Sequence, residues 1–456
     1  MARQRLALVI GLGRSGLACA RALSKEGYSV RVVDREDTVE LRERAQQLDG
    51  VADVTLGGYP ADVGEEAAIV CPSPGVPWDA PELNRARALG IPVRSELDLV
   101  VERCPARIIG VTGTNGKTTT ASLVTHVLRQ ARYPVHLGGN IGDTVLDRLE
   151  EIHAGDWLVL ELSSFQIESM SDPHCEIGAV LNVAPDHLDR HGSFAAYARI
   201  KARLAHLADI AVLNWEDEVT RGMAPKRGRT LYFGTTVRDG DGATVFDDVI
   251  VSLEQGTAKR VLPVSDVPLF GEHNISNVLA AVCIARAAGV ATHEIAAAVR
   301  DFRAVAHRLQ PVLECDGVLW VNDSKATNES AAATALRSFS GRPIIWIGGG
   351  SSKGVGPEGL AGEVAQHARY AVLIGATAPE LDAALTSRGF SAHQVVADLH
   401  AAVSLAHDLA RPGDVVLLAP GYASFDQFRD YQDRGDTFVR AVTEVAAAPR
   451  AWEGVR

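Results

Sequence analysis

Ile109-Gly110-Val111-Thr112-Gly113-Thr114-Asn115-Gly116-Lys117-Thr118-Thr119-Thr120 decides how this chain folds. An apolar, strand-like run turns through glycines into a lysine, a run of threonines and the start of a helix. Gly113 and Gly116 let the backbone approach an anion closely, the helix N-terminus points its free N–H groups there, and Lys117 adds a charge. Thr118 stands where a hydroxyl would hold Mg²⁺, with Thr114, Asn115 and Thr119 completing the cradle. The common phosphate-loop pattern has a glycine where this chain has Val111, so the match is to a shortened variant. An ordinary strand-to-helix turn could look similar. Gly-Lys-Thr opening a helix directly after Arg107-Ile108-Ile109 favours a site for ATP or GTP.

Working outward, 456 residues predict about three domains, and 46% apolar residues suffice for full cores. The net charge of −12 and pI near 5.6 argue against nucleic acid or a membrane surface as partner. The six cysteines, Cys19, Cys71, Cys104, Cys175, Cys283 and Cys315, are scattered with no C-x-x-C pair. Neither a disulfide framework nor a zinc site is indicated, and reduced thiols in a cytoplasmic protein fit best. Gly11, Gly13 and Arg14 break the N-terminal apolar run below the length of a signal core, and no later stretch reaches that of a membrane span.

Toward the N-terminus, Leu6-Ala7-Leu8-Val9-Ile10 reads as a buried strand entering Gly11-Leu12-Gly13-Arg14-Ser15-Gly16 and then a helix. A second strand, Val30-Arg31-Val32-Val33, ends at Asp34. This is the layout of a dinucleotide-binding unit with an acid after the second strand, and alone it would suggest NAD. Any nucleotide diphosphate can use the same turn and helix terminus. Cys71-Pro72-Ser73-Pro74-Gly75-Val76-Pro77 follows a further strand, either as a ligand-facing loop or as a proline-stiffened connection.

Toward the C-terminus, Gly138-Gly139-Asn140-Ile141-Gly142 precedes Trp157-Leu158-Val159-Leu160-Glu161, a strand ending in a carboxylate. In phosphate-loop folds the neighbouring strand presents an acid to Mg²⁺, the role expected of Glu161. Another strand runs into Asp186-His187-Leu188-Asp189-Arg190-His191, where His187 would coordinate a second Mg²⁺ or touch substrate. Beyond about residue 305, strands at 318–321, 344–347, 371–374 and 415–418 alternate with Ala/Leu-rich helical segments, predicting a second doubly wound sheet.

These motifs carry a family resemblance. Gly113-Thr114-Asn115-Gly116-Lys117-Thr118, Glu161-Leu162-Ser163-Ser164-Phe165-Gln166 and Asp186-His187-Leu188-Asp189-Arg190 resemble the Mur ligases of peptidoglycan synthesis. Gly271-Glu272-His273-Asn274-Ile275-Ser276-Asn277, His307-Arg308, Asn322-Asp323-Ser324-Lys325-Ala326-Thr327-Asn328 and Ala423-Ser424-Phe425-Asp426-Gln427-Phe428 extend the likeness in family order. The resemblance implies three α/β domains: a Rossmann-like UDP-sugar-binding domain over 1–94, a phosphate-loop ATP-binding domain over 95–304, and a Rossmann-like amino-acid-binding domain over 305–456. It further implies a cytoplasmic, monomeric enzyme that joins D-glutamate to UDP-N-acetylmuramoyl-L-alanine with ATP and two Mg²⁺ ions.

Carried over residue by residue, the resemblance places Thr118 and Glu161 on the first Mg²⁺, with His187 and a carbamylated Lys201 on the second. Asn277, Arg308 and Asp323 join the phosphate loop around ATP. Ser15, Asp34, Arg35, Ser73, Gly75, Asn140 and His187 receive the UDP-sugar, and Thr327, Lys353, Ser424 and Tyr431 receive glutamate. Lys117, His187 and Lys201 are the expected catalytic residues. The chain has Asp34-Arg35-Glu36 where relatives often have Asp-Thr-Arg, and Pro420-Gly421-Tyr422-Ala423-Ser424 where some have Pro-Ala-Cys-Ala-Ser. Two other classes compete. A nicotinamide-dependent oxidoreductase rests on Gly11 to Gly16 and Asp34 alone, and a non-catalytic ATP-binding assembly protein leaves Glu161 and the His187 cluster without a role. Within the ligases, the rival substrate is L-glutamate or another amino acid.

Overall fold

The computed structural model describes residues 5–59, 66–237, 240–352, 354 and 356–447. The strands are β1 (Leu6–Ile10), β2 (Ser29–Val33), β3 (Ala52–Thr55), β4 (Ala67–Pro72), β5 (Arg107–Thr112), β6 (Val135–Gly139), β7 (Trp157–Glu161), β8 (Cys175–Val180), β9 (Ala208–Asn214), β10 (Arg229–Phe233), β11 (Gly242–Phe246), β12 (Val249–Glu254), β13 (Thr257–Pro263), β14 (Gln310–Cys315), β15 (Val318–Asn322), β16 (Ile344–Gly348), β17 (Tyr370–Leu373), β18 (His393–Val395) and β19 (Val415–Leu418). They form a four-stranded sheet ordered β3-β2-β1-β4, a nine-stranded sheet ordered β13-β12-β11-β10-β9-β8-β5-β7-β6, and a six-stranded sheet ordered β14-β15-β19-β16-β17-β18. Pairing is parallel except for β11–β12, β12–β13 and β14–β15. The α/β class read from the sequence is what the chain adopts.

Two compact units emerge, one of Met1–Val267 with Ser276–Arg300 and the other of Pro268–Ile275 with Asp301–Arg456. The first holds the first two sheets, and the second holds the third sheet. Strands β3, β6, β9 and β10 and the hairpins that extend the nine-stranded sheet were not read from the sequence, and neither were β14 and β18. β14 is a half-exposed edge strand containing Pro311, and β18 has only three residues, so neither carries the apolar run that marks an interior strand.

In the first unit, β5 and its neighbours are apolar on both faces because helices cover both faces. Glycine sets how close one of these helices comes. A Cβ at Gly110 would lie 2.8 Å from Leu204 Cδ1, and one at Gly178 would lie 2.7 Å from the Leu204 carbonyl. The helix Phe194–His206, capped by the Ser193 hydroxyl accepting from the Ala196 N–H, therefore packs tightly on β5 and β8. That approach brings Lys201 beneath the turn that follows β5.

In the second unit, interior strands such as Ile344–Gly348 and Val415–Leu418 are fully buried, with apolar clusters on each side of the sheet. The loops following β15 and β19 are tied together by a single buried side chain. Arg434 Nε donates to Ser324 Oγ at 3.0 Å, and its terminal nitrogens donate to the carbonyls of Ser324, Tyr422 and Ala423 at 3.0–3.3 Å.

Candidate active site

The turn after β5 is built as a phosphate cradle. Gly116 caps the helix Lys117–Gln130 at φ +84°, a conformation that glycine adopts without strain. A Cβ there would sit 2.2 Å from Asn277 Oδ1. Asn277 thus lies against the loop, and its Oδ1 accepts from Thr120 Oγ1 at 3.4 Å. Thr118 and Thr119 occupy the helix's first turn, which contains no acid to oppose an anion. The loop is braced from below: Asn182 accepts the Asn115 N–H at 2.8 Å and donates to its carbonyl at 3.0 Å.

Two lysines converge on the same turn. Lys117 Nζ donates to the carbonyls of Gly113 and Thr114, both at 2.9 Å. Lys201 Nζ donates to the Gly113 carbonyl at 3.0 Å and to Thr112 Oγ1 at 3.3 Å. Burial, with Lys117 nearby, pushes the Lys201 ammonium down to about 7. Tyr197, unmarked in the sequence reading, lies under the Lys201 ammonium at 4.7 Å from ring centre, its hydroxyl 3.1 Å from Thr114 Oγ1. A tyrosine four residues before the lysine on one helix face was the available signal.

Glu161 ends β7 beside the cradle. It is 2% exposed. Asn140 Nδ2 donates to its Oε1 at 3.2 Å, while Oε2 has no hydrogen-bonding partner among the described residues. An orphaned carboxylate oxygen in a buried position is what a cation site requires. Among the described residues no cluster of three or more His, Cys, Asp or Glu side chains converges. A divalent ion here would draw most of its ligands from phosphate oxygens and water, which suits Mg²⁺.

His187 stands at the mouth of the site with φ +51°, half exposed and 3.5 Å from Asp186 Oδ2. Phe165 packs its ring 5.0 Å from His187 and 5.2 Å from His191.

Lys117, Asn140 and His187 line one cleft of about 710 Å³ with Gly11, Gly13, Ser15, Asp34, Arg35, Ser73 and Gly75. Asp34 first serves the turn itself, because its carboxylate accepts the N–H groups of Leu12 at 2.7 Å and Glu36 at 3.0 Å. Ser73 Oγ donates to the Gly11 carbonyl at 2.8 Å, which locks the β4 loop against the glycine turn. Arg35 pairs with Glu82 at 3.1 Å and stacks over Tyr59 at 4.9 Å. Glu82 and Tyr59 lie outside the glycine motif, where spacing gave no cue to them.

The remaining expected residues lie in the second unit. Leu309 N–H donates to Asp323 Oδ1 at 3.1 Å, and Arg308 precedes it on a turn in which His307 and Leu309 both have positive φ. Ser424 is buried, Tyr431 begins the helix Tyr431–Ala447, and the Tyr431 carbonyl accepts from Ser324 Oγ at 2.8 Å. Thr327 follows Lys325, whose ammonium sits 3.8 Å above the Tyr431 ring. Lys353 falls outside the described residues.

A helix-opening phosphate cradle, a buried acid beside it and a second glycine turn in one cleft define a nucleotide-dependent α/β enzyme of the phosphate-loop class. Family models for the Mur ligase MurD-like N-terminal domain, the Mur ligase middle domain and the Mur ligase glutamate ligase domain match residues 5–95, 111–285 and 307–421. The chain belongs to the Mur ligase family. It is 40% identical over 441 residues to the UDP-N-acetylmuramoylalanine--D-glutamate ligase of Pelotomaculum thermopropionicum, covering 95% of this chain and 96% of that one. It is 42% identical to the enzyme of the same name from Solibacter usitatus, covering 96% and 97%. Among solved structures, MurF from Acinetobacter baumannii superposes with a TM-score of 0.62 at 17% identity over 96% of this chain and 93% of that one, a likeness of fold.

Proposed function

We propose that this chain is the ligase that adds D-glutamate to UDP-N-acetylmuramoyl-L-alanine in peptidoglycan precursor synthesis, converting ATP to ADP and phosphate. The observation that carries the reading is the single cleft lined both by the Gly11 to Ser15 turn and by Lys117, Asn140 and His187. A sugar nucleotide held by the first turn can present a carboxylate to the phosphate loop without leaving the cleft. A free nicotinamide site would not need the second cradle.

The chemistry follows from the groups present. A carboxylate resists amine attack because oxide is a poor leaving group. Its oxygen therefore attacks the γ-phosphorus of ATP, ADP departs, and an acyl phosphate forms. The amine of glutamate then attacks the acyl carbon, inorganic phosphate leaves, and the nitrogen gives up a proton to yield the amide. Lys117 and the N–H groups of the turn neutralise charge that spreads over phosphoryl oxygens, and their fixed positions remove the cost of gathering reactants.

Two Mg²⁺ ions are part of this proposal, one at Thr118 and Glu161 and one at His187 with a carbamylated Lys201; when bound they would draw charge from phosphoryl oxygens. The depressed basicity of Lys201 supports the modification, since only a neutral amine adds to CO₂. Asn277, Arg308 and Asp323 are proposed to contact ATP, with Thr327, Lys353, Ser424 and Tyr431 contacting glutamate, in a monomer acting in the cytoplasm. No described helix is long and apolar enough to cross a membrane.

Phosphate release with Mg²⁺, ATP and UDP-N-acetylmuramoyl-L-alanine, compared across D-glutamate, L-glutamate and no amino acid, tests the reading. Release with D-glutamate alone, with a product heavier by one glutamyl residue, is expected. Release with L-glutamate or another amino acid would leave the ligase chemistry standing and overturn the pocket assignment. Silence with every acceptor would overturn both.

A further inference from the structure

Glu96 is a buried carboxylate that the proposed reaction does not use. It opens the helix Glu96–Arg103, where the capping box is made by Ser95 and Asp98 and leaves the Glu96 side chain out. That side chain turns inward, is 5% exposed, and accepts the Ser15 hydroxyl at Oε2 over 2.9 Å. Ser15 lies in the first turn of the helix Arg14–Lys25 and lines the cleft. The only hydrogen the Ser15 hydroxyl can offer is therefore spent on a carboxylate, which can accept but not donate.

A pyrophosphate in this cradle brings permanent negative charge to the same hydroxyl. The groups facing Glu96 do not cancel a carboxylate there. Arg14 favours its ionised form, while Asp147 on the neighbouring segment opposes it. Asp147 is itself engaged with the Thr144 hydroxyl at 2.7 Å and lies 3.9 Å from Arg21. Cys19, on the Ser15 helix, is a buried thiol within range of Glu96 and is held protonated by its surroundings. Burial raises the Glu96 carboxyl above the usual range even before an anion arrives.

We infer that Glu96 is a positioning residue for the sugar nucleotide: it takes up one proton when the pyrophosphate docks, so that the carboxylic acid donates to Ser15 Oγ and Ser15 donates onward to a phosphate oxygen. The proton comes from solvent and no heavy-atom bond changes. The inference rests on the UDP-sugar reading of the cleft. It makes the affinity of the first substrate depend on pH through a group that touches no ligand atom.

Calorimetric titration of UDP-N-acetylmuramoyl-L-alanine into the full chain without ATP, near pH 7 in phosphate and in Tris, counts protons from the dependence of heat on buffer ionisation. The diester pyrophosphate of this ligand does not itself titrate near neutrality. Wild type should take up a measurable fraction of a proton, and its binding should weaken with rising pH by at most about tenfold per unit for one linked proton. Glu96→Gln, whose amide donates to Ser15 permanently, should lose that uptake and bind within about threefold of wild type near pH 6. Glu96→Ala should bind about tenfold more weakly throughout. Protons taken up elsewhere in the cleft persist in both proteins and cancel in the difference. Equal proton counts in wild type and Glu96→Gln overturn the inference and leave the UDP-sugar reading intact, as does Glu96→Gln binding no better than Glu96→Ala. No binding by wild type overturns the UDP-sugar reading, and the inference with it.

Discussion

Replacing Asp323 by asparagine should change how the stability of the second unit depends on pH. Asp323 follows β15, is nearly buried, and its Oδ1 accepts the Leu309 N–H at 3.1 Å. Burial pushes its carboxyl from 3.8 up to about 7, the Leu309 N–H and the Arg308 charge opposing this incompletely. The folded chain then keeps its proton to about pH 7, whereas the unfolded chain loses it near ~4. Between those values the folded state binds more protons, so stability falls as pH rises and levels off above the folded value. A shift from 3.8 to about 7 is roughly three units, which at ~1.4 kcal/mol each sets a ceiling of about 4 kcal/mol. Local relaxation and water penetration reduce the expected effect to roughly 2 kcal/mol. Asparagine resembles the protonated acid in shape and in offering a donor, so Asp323→Asn should match wild type near pH 4 and exceed it near pH 8 by about that amount. Hydrogen exchange of the β15 and β19 amides in the full chain, corrected for the intrinsic pH dependence of exchange, reads this directly. The reasoning is refuted if Asp323→Asn retains the wild-type slope, or if it is less stable near pH 8.

Other expectations concern the phosphate cradle. Gly116→Ala places a Cβ at φ +84° and 2.2 Å from Asn277 Oδ1; the backbone conformation alone costs about 1–2 kcal/mol, so ATP affinity by calorimetry should fall at least about fivefold. Lys117→Ala should abolish phosphate release while keeping UDP-sugar affinity within about threefold, since one lost point charge acts on the transferring phosphoryl group; parallel loss of both in calorimetry would contradict this division. Lys201→Ala should lose turnover and regain part of it with added short carboxylates, measured as dose-dependent phosphate release, because the vacated space suits an anionic oxygen ligand.

Much of the site was legible because its chemistry is local in sequence. Gly113 to Thr119 form one turn and one helix start, and their spacing specifies a cradle whatever surrounds them. Glu161 was legible for a related reason, as a carboxylate ending an apolar strand has few structural uses. Other parts were hidden because they depend on contacts between distant segments. Asn182 braces Asn115 across 67 residues, and Tyr197 reaches Thr114 across 83. Glu96 touches Ser15 across 81 residues, and nothing in Ser-Glu-Leu-Asp reports that one acid caps a helix while the other turns inward onto Ser15.

By itself the sequence determined the α/β class, central strands such as β1, β5, β7, β16 and β19, the glycine turn that opens a helix after β5 and the family, since each is encoded in hydrophobic periodicity or in residues close along the chain. The tertiary structure decided the rest. It made Asp34 a brace for the glycine turn, left one oxygen of Glu161 without a partner among the described residues, and drew Lys201 beneath Gly113 through the close packing that Gly110 and Gly178 permit. The reason is physical: burial and unsatisfied hydrogen bonding are properties of what surrounds a side chain, and those surroundings exist only once the sheets are assembled.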